Sequence, residues 1–206
     1  MTDAITPSYT TFDGHRRIAA GTLQANALAC KRALEGGAPG PVLVFDDSTG
    51  RSVDLDTSGT DEAVLARTAE RAGQLHALST PPEDDTDTAE TPERRGRGRP
   101  KLGVVSREVT LLPRHWEWLA AQPGGASVAL RKLVEQARRD NADKDRSRRA
   151  SERAYHFISA MGGDFPGFEE ATRALFAGDL AGFAERTAVW PEDVRDHALR
   201  LADENA

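Results

Sequence analysis

Residues 104–139 read VVSREVTLLPRHWEWLAAQPGGASVALRKLVEQARR, and this stretch combines three kinds of local pattern. Val104 to Leu112 is rich in β-branched and apolar residues, which favours an extended strand. Pro113 suits the first turn of a helix, because its missing N–H needs no partner there. Pro123-Gly124-Gly125 interrupts the helical pattern, and Ser127 can cap a second helix. The stretch therefore predicts a strand, a helix, a tight turn and a second helix.

Both predicted helices have one apolar face. In the first helix Trp116, Leu119 and Ala120 fall on one side. In the second helix the apolar side chains recur at helical spacing, at Leu130, Leu133, Val134 and Ala137. Since one strand and two short helices cannot bury these faces alone, we expect a homodimer through residues 104–139.

The charge of the chain is divided into three blocks. Residues 1–93 carry 7 basic and 16 acidic side chains, and residues 150–206 carry 5 basic and 11 acidic ones. Residues 94–149 between them carry 15 basic and 6 acidic side chains, a net charge of +9, although the whole chain has a net charge of −6. Because the local field decides whether an anionic polymer can bind, the basic block predicts a nucleic-acid partner.

Residues 1–78 are predicted to form a small α+β module. Tyr9 to Phe12 is β-prone and the Asp13-Gly14 turn starts a hairpin. A helix capped by Thr22 follows, and Val42 to Phe45 then reads as a buried strand. Val53 and Leu55 alternate with polar residues in a further strand, which gives the order ββαββ before a helix over residues 61–78.

The rest of the chain is predicted to be a linker and helices. Residues 79–103 hold three prolines and clusters of charge, so we expect a disordered linker there. Residues 104–140, the stretch that contains the predicted strand and two helices, are expected to form a separate segment that mediates dimerisation and binds nucleic acid. Residues 141–206 contain helical patterns over about 146–161 and three further stretches, which predicts a C-terminal helical bundle. The predicted fold class is α+β, mainly α.

Enzyme signatures are mostly absent from the sequence. There is no Gly-rich phosphate loop and no nucleophile-elbow serine, and no histidine has a second one at helical spacing. The single cysteine, Cys30, cannot form an internal disulfide. We therefore expect no enzyme, no metal and no cofactor; an active site assembled across the modules is the weaker alternative. Without an apolar run of membrane-spanning length or a secretory signal, we expect no membrane partner and a cytoplasmic, nucleoid-associated protein.

The basic segment before the strand resembles the AT-hook, a short DNA-binding motif of the minor groove. The resemblance rests on Arg97-Gly98-Arg99-Pro100. Glycine lets the backbone lie deep in a narrow groove, and arginine is attracted by the negative potential of A·T tracts. The resemblance implies that A·T-rich DNA is bound by the residues Arg94, Arg95, Arg97, Gly98, Arg99, Pro100 and Lys101.

The stretch from Ser106 to Arg139 resembles the ribbon-helix-helix family of bacterial repressors and antitoxins. Leu112-Pro113 matches the junction between strand and first helix in that family, and the opening of the second helix matches Ser127 to Arg131. The family resemblance implies that two chains pair their strands into an antiparallel ribbon that enters the major groove. The residues expected to position this dimer on DNA are Arg107, Ser127, Arg131 and Lys132.

The sequence does not determine which side of the predicted strand faces the core. If Leu112 faces the core, alternation turns three residues toward the DNA groove: Arg107, Val109 and Leu111. If the other side of the strand faces the core, the residues turned toward the DNA groove are Glu108, Thr110 and Leu112. An ordinary helical hairpin with an edge strand remains the alternative to the ribbon.

The chain as a whole, especially GRGRPKLGVV running into EVTLLPRHWEWLAAQPGGASVALRKLVE, resembles a bacterial family of unknown function. From the basic block and the two motifs we expect a DNA-binding transcriptional regulator or nucleoid-associated factor, with a protein partner on the acidic N- or C-terminal module. The alternative is a protein-interaction or antitoxin-like adaptor with no direct role on DNA, whose basic block binds an acidic protein surface.

Overall fold

A computed structural model describes residues 8–79 and 107–203, with side chains for 8–71 and 107–203. The described chain is a mixed α+β fold that is mainly helical, as predicted, with a four-stranded antiparallel sheet and seven helices. Its contacts define two compact units, residues 1–81 with 142–206 and residues 82–141.

The elements follow one another in the order ββαββ and then six helices. The strands are β1 (Tyr9–Asp13), β2 (Arg16–Gly21), β3 (Val42–Asp46) and β4 (Arg51–Ser52). The helices are α1 (Leu23–Glu35), α2 (Asp61–Ser79), α3 (Pro113–Ala120), α4 (Gly125–Met161), α5 (Phe168–Phe176), α6 (Leu180–Thr187) and α7 (Glu192–Ala202). No helix in the described part of the chain is long and apolar enough to cross a membrane.

The sheet of the larger unit has the order β2-β1-β3-β4, so β1 is an inner strand. Residues 9–12 of β1 are all buried, because both faces of the sheet are covered. On one face Tyr9 and Val44 pack with Leu23 and Cys30 of α1. The Thr22 side chain caps α1 by accepting a hydrogen bond from the Ala25 N–H at 3.3 Å, as predicted.

The other face of the sheet forms the main core with the C-terminal helices. Phe12 and Phe45 both contact the ring of Phe157 in α4, at centroid distances of 5.4 and 4.9 Å. Ile158 and Val194 belong to the same buried cluster. The residues assigned from sequence to an N-terminal module and a C-terminal bundle thus share one core in this unit.

The edge strand β2 is tied to the last helix. The backbone N–H of Arg17 donates a hydrogen bond to the Asp193 carboxylate of α7 at 2.9 Å. Asp193 lies in the first turn of α7, where a carboxylate also interacts favourably with the helix dipole. One acidic side chain therefore satisfies a strand N–H and stabilises a helix end.

Two predicted element boundaries are wrong. The separate helices expected after Ser127 and over residues 146–161 form a single helix, α4. The residues between them include no Gly or Pro, and pairs such as Arg146–Asp143 and Arg148–Asp145 support the helix at i,i+3 spacing. The strand expected around Val53 and Leu55 is only Arg51–Ser52, although the Val53 N–H still donates to Val44 O at 2.7 Å.

A buried polar network fastens α7 to the sheet. The Asp47 carboxylate accepts hydrogen bonds from the Thr10 hydroxyl and from an Arg200 N–H, both at 3.1 Å. The same Arg200 nitrogen lies 2.9 Å from Nδ1 of His197. Since a guanidinium only donates, Nδ1 accepts, and the ring hydrogen is on Nε2, which lies 3.4 Å from Asp47 Oδ1.

The imidazole of His197 is fully buried between Phe12 and Phe157. Burial lowers the pKa of His197 to about 4, and this effect outweighs the opposite influence of the Asp47 carboxylate. The positive charges of Arg200 and Arg17 lower the pKa further. His197 is therefore neutral in the folded protein at neutral pH.

The turn after β3 approaches helix α4 very closely. Gly50 has a φ of +68°, and a Cβ atom placed there would lie 1.8 Å from the carbonyl oxygen of Arg153. Only glycine lets the turn rest against the helix backbone. Gly14, in the turn between β1 and β2, has a φ of +56° but open space around its missing Cβ.

We expect Gly50→Ala to destabilise the protein more than Gly14→Ala. Both substitutions place a side chain at positive φ, but only the first forces two backbones apart, which adds about 1–3 kcal/mol or prevents folding. The measurement is the free energy of urea unfolding of each variant. An equal decrease in the free energy of unfolding of the two variants would contradict the close contact between the Gly50 turn and the backbone of α4.

Acid should weaken the fold through His197. Its pKa in the folded state lies below the unfolded value of about 6.5. Only the unfolded chain therefore takes up this proton between about pH 6.5 and pH 4. The free energy of unfolding should fall through that window, by at most about 1.4 kcal/mol per pH unit from this group, and level off below it. Urea unfolding measured from pH 7 to pH 4 should show that the free energy of unfolding falls more steeply with decreasing pH in the wild type than in His197→Gln. If the free energies of the two proteins fall in parallel, His197 is not the group that makes the fold sensitive to acid.

Candidate nucleic-acid interface

The residues predicted to bind DNA fall into two groups in the structure. The AT-hook-like residues 94–101 lie outside the described residues, so their binding stays a prediction. Arg107, Ser127, Arg131 and Lys132 lie in the described part of the smaller unit, and all four are exposed.

Helices α3 and α4 form a hairpin joined by a turn of four residues. Leu112 is extended, with φ −66° and ψ 149°. Pro113 is the first residue of α3, a position that suits proline because the N–H it lacks would have no partner in the helix. Gly124 and Gly125 have φ values of +87° and +72°, which turn the chain directly into α4. Because α4 begins at Gly125, Ser127 lies inside its first turn, and the prediction that Ser127 is the N-cap is wrong.

One side of the hairpin is basic. Arg131 and Lys132 line a shallow groove on α4 with Glu135, Gln136 and Arg139. Within residues 107–141 the ion pairs join Glu135 to Arg138 and Arg139, both at 3.4 Å. In that range Arg107, Arg131 and Lys132 have no acidic partner, and the Arg131 guanidinium donates to Ser127 O at 3.2 Å. These cations are available to an anionic ligand.

The other side of the hairpin is apolar and open. A groove between the helices is lined by Leu111, His115, Trp118, Leu119, Leu130 and Leu133. Trp118, Leu133 and Val134 remain 53%, 48% and 56% exposed. Within residues 107–141 the buried apolar side chains are Leu119 and Ala129. The hairpin as described therefore lacks a core of its own.

The apolar face of α3 differs from the predicted one. Ala120, assigned to that face from sequence, is exposed, and Trp116 does not line the groove, whereas Trp118 and His115 do. The spacing from His115 to Trp118 and Leu119 is i,i+3,i+4, which is the signal that identifies this face.

Residues 107–112 form no strand in the described single chain. A strand of the predicted kind would pair with a second chain, so this pairing stays a prediction. Among the described residues, no group of three His, Cys, Asp or Glu side chains is placed to hold a metal ion.

A model of a bacterial protein family matches residues 8–202, which covers both units. The family is described as an uncharacterized protein conserved in bacteria, DUF2239. No curated protein and no solved structure matches the chain. With nearly the whole chain matched, the protein belongs to this family of bacterial proteins.

Proposed function

We propose that this protein binds DNA as a homodimer, as a transcriptional regulator or a nucleoid-associated factor. The observation that carries the proposal is the two-sided hairpin of α3 and α4. One side carries cations that have no acidic partner within residues 107–141, and the other side has an open apolar groove. The basic segment 94–101, which resembles an AT-hook, precedes this hairpin in the chain and adds the residues for the minor groove.

The charge of residues 94–149 supports an anionic polymer as ligand. The block of residues 94–149 has a net charge of +9 between two acidic blocks. A duplex presents closely spaced phosphates, and each phosphate that Arg or Lys neutralises releases a counterion. Arg107, Arg131 and Lys132 would position the hairpin on the backbone, and Arg97 and Arg99 would lie in the minor groove.

A second copy of the chain is the occupant of the apolar groove. The remaining residues of this unit, 82–106, contribute few aliphatic residues to cover it: Ala89, Leu102, Val104 and Val105. A hairpin with half-exposed Trp118, Leu133 and Val134 gains a core when the same face of another copy packs on it. Such a two-fold contact buries the apolar side and leaves the basic sides of both copies free.

Salt and base composition test the binding to DNA. If about four to six phosphates are neutralised, log affinity should fall with log salt at a slope of about −4 to −5. Replacing Arg97 and Arg99 by Ala should weaken binding to an A·T-rich duplex more than to a G·C-rich one, because the A·T minor groove is narrower and more negative. Mobility-shift titrations at two salt concentrations give both quantities.

Lys101→Ala is the matched control, since a phosphate contact should weaken both duplexes equally. Equal losses for the double variant on both duplexes would remove the AT-hook assignment. Absence of binding to any duplex at low salt would remove the DNA function and favour the adaptor, whose basic block binds an acidic protein surface.

The dimer is tested by a charge in the groove. Leu133→Glu should convert the full-length chain from dimer to monomer, because the new carboxylate would be buried without a partner at the contact. Gln136→Glu adds the same charge three residues away in the basic groove and should remain a dimer. Analytical ultracentrifugation at micromolar concentration distinguishes the two; a monomeric wild type would contradict the proposed contact.

A further inference from the structure

The apolar groove of the hairpin contains one titratable side chain, that of His115. The other described residues that line the groove are apolar, and His115 itself is exposed in the single chain. It lies one helical turn before Trp118 and Leu119, so the three side chains share one face of α3. An imidazole that can take up a proton is therefore part of the surface that a second copy would cover.

The groove offers no acidic partner to a charged imidazole. Across it His115 faces leucines from α4 and from the segment before α3, namely Leu130, Leu133 and Leu111. Arg114 and Glu117, the charged residues nearest to it along α3, are one and two positions away and do not line the groove. Within residues 107–141 the carboxylate that forms ion pairs is Glu135, and its partners are arginines of α4.

The charge closest to the groove on α4 has the same sign as a protonated imidazole. Lys132 lines the adjoining pocket together with Trp118 and Leu133, which also line the groove. A like charge disfavours the protonated form of a neighbouring group. Lys132 therefore adds to the cost of placing a second positive charge in a covered groove.

We infer that protonation of His115 dissociates the dimer, so that the DNA-binding form assembles at neutral pH and separates in mild acid. The inference rests on the proposed function, because it needs a second copy on the groove. An imidazole takes up its proton as the pH falls from about 7.5 to about 5.5. Water solvates the charged ring in the monomer, whereas in the contact the charge would be desolvated and without a carboxylate.

The two-fold symmetry of the contact doubles the effect. Each copy brings its own His115 to the interface, and both rings must be neutral in the dimer. Dissociation in acid is therefore accompanied by the uptake of up to two protons. For two imidazoles that titrate at about pH 6.5, the dissociation constant should rise about a hundredfold between pH 7.5 and pH 5.5.

The test measures the dissociation constant of the full-length dimer by analytical ultracentrifugation at these two pH values and constant ionic strength. The wild type should show the hundredfold rise. His115→Gln and His115→Leu are uncharged at both pH values, so each should form a dimer with nearly the same constant at both. His115→Lys is charged at both pH values and should be largely monomeric at both.

His15→Gln is the matched control. It removes an exposed histidine from the turn between β1 and β2 of the larger unit and should keep the wild-type pH dependence. Far-UV circular dichroism of every sample distinguishes separation of folded chains from the acid unfolding that involves His197. The His197 effect belongs to the core of the larger unit and should be the same in all His115 variants.

The outcomes separate the inference from the function on which it rests. A wild-type dimer with the same dissociation constant at both pH values would overturn the inference alone. His115→Gln and His115→Leu dimers that keep the wild-type pH dependence would do the same. A wild type that is monomeric at pH 7.5, or whose dimer is unaffected by Leu133→Glu, would overturn the proposed contact and the inference with it.

Discussion

The ring of Phe157 in α4 is the contact on which the larger unit depends. It touches Phe12 and Phe45 from the sheet and His197 from α7, so that one side chain joins the first strand, the third strand and the last helix. Two further features of this unit accompany that packing. The turn at Gly50 must have no side chain to let the sheet approach the helix, and the imidazole of His197 must stay neutral among the rings.

The elements with local signals were predictable from the sequence. Thr22 was expected to cap α1, and in the structure its side chain accepts a hydrogen bond from a backbone N–H of the first turn. The hairpin at Gly14 and the buried strand from Val42 also follow from turn residues and apolar runs. These signals lie within a few residues of the structure that they determine.

The features missed by sequence reasoning depend on contacts between distant residues or on competition between patterns. Each histidine was isolated in the sequence, yet folding brings His197 to Asp47, 150 residues earlier in the chain. The continuity of α4 was missed because a charged stretch without apolar periodicity was read as a break, although nothing there opposes a helix. The sequence could not show whether Leu111 or Leu112 faces the hairpin, because the two leucines are adjacent and equally apolar. The structure distinguishes them, since Leu111 lines the groove and Leu112 does not.

The hydrogen bond between the Arg17 N–H and Asp193 has a consequence for the behaviour of the protein in a crowded cell. An outer strand with unpaired N–H groups is a template on which other polypeptides can grow a sheet and aggregate. Here β2 has one of these groups occupied by a carboxylate and carries two arginines, and the opposite edge, β4, is only two residues long. The sheet is thereby protected against indiscriminate strand addition at both borders.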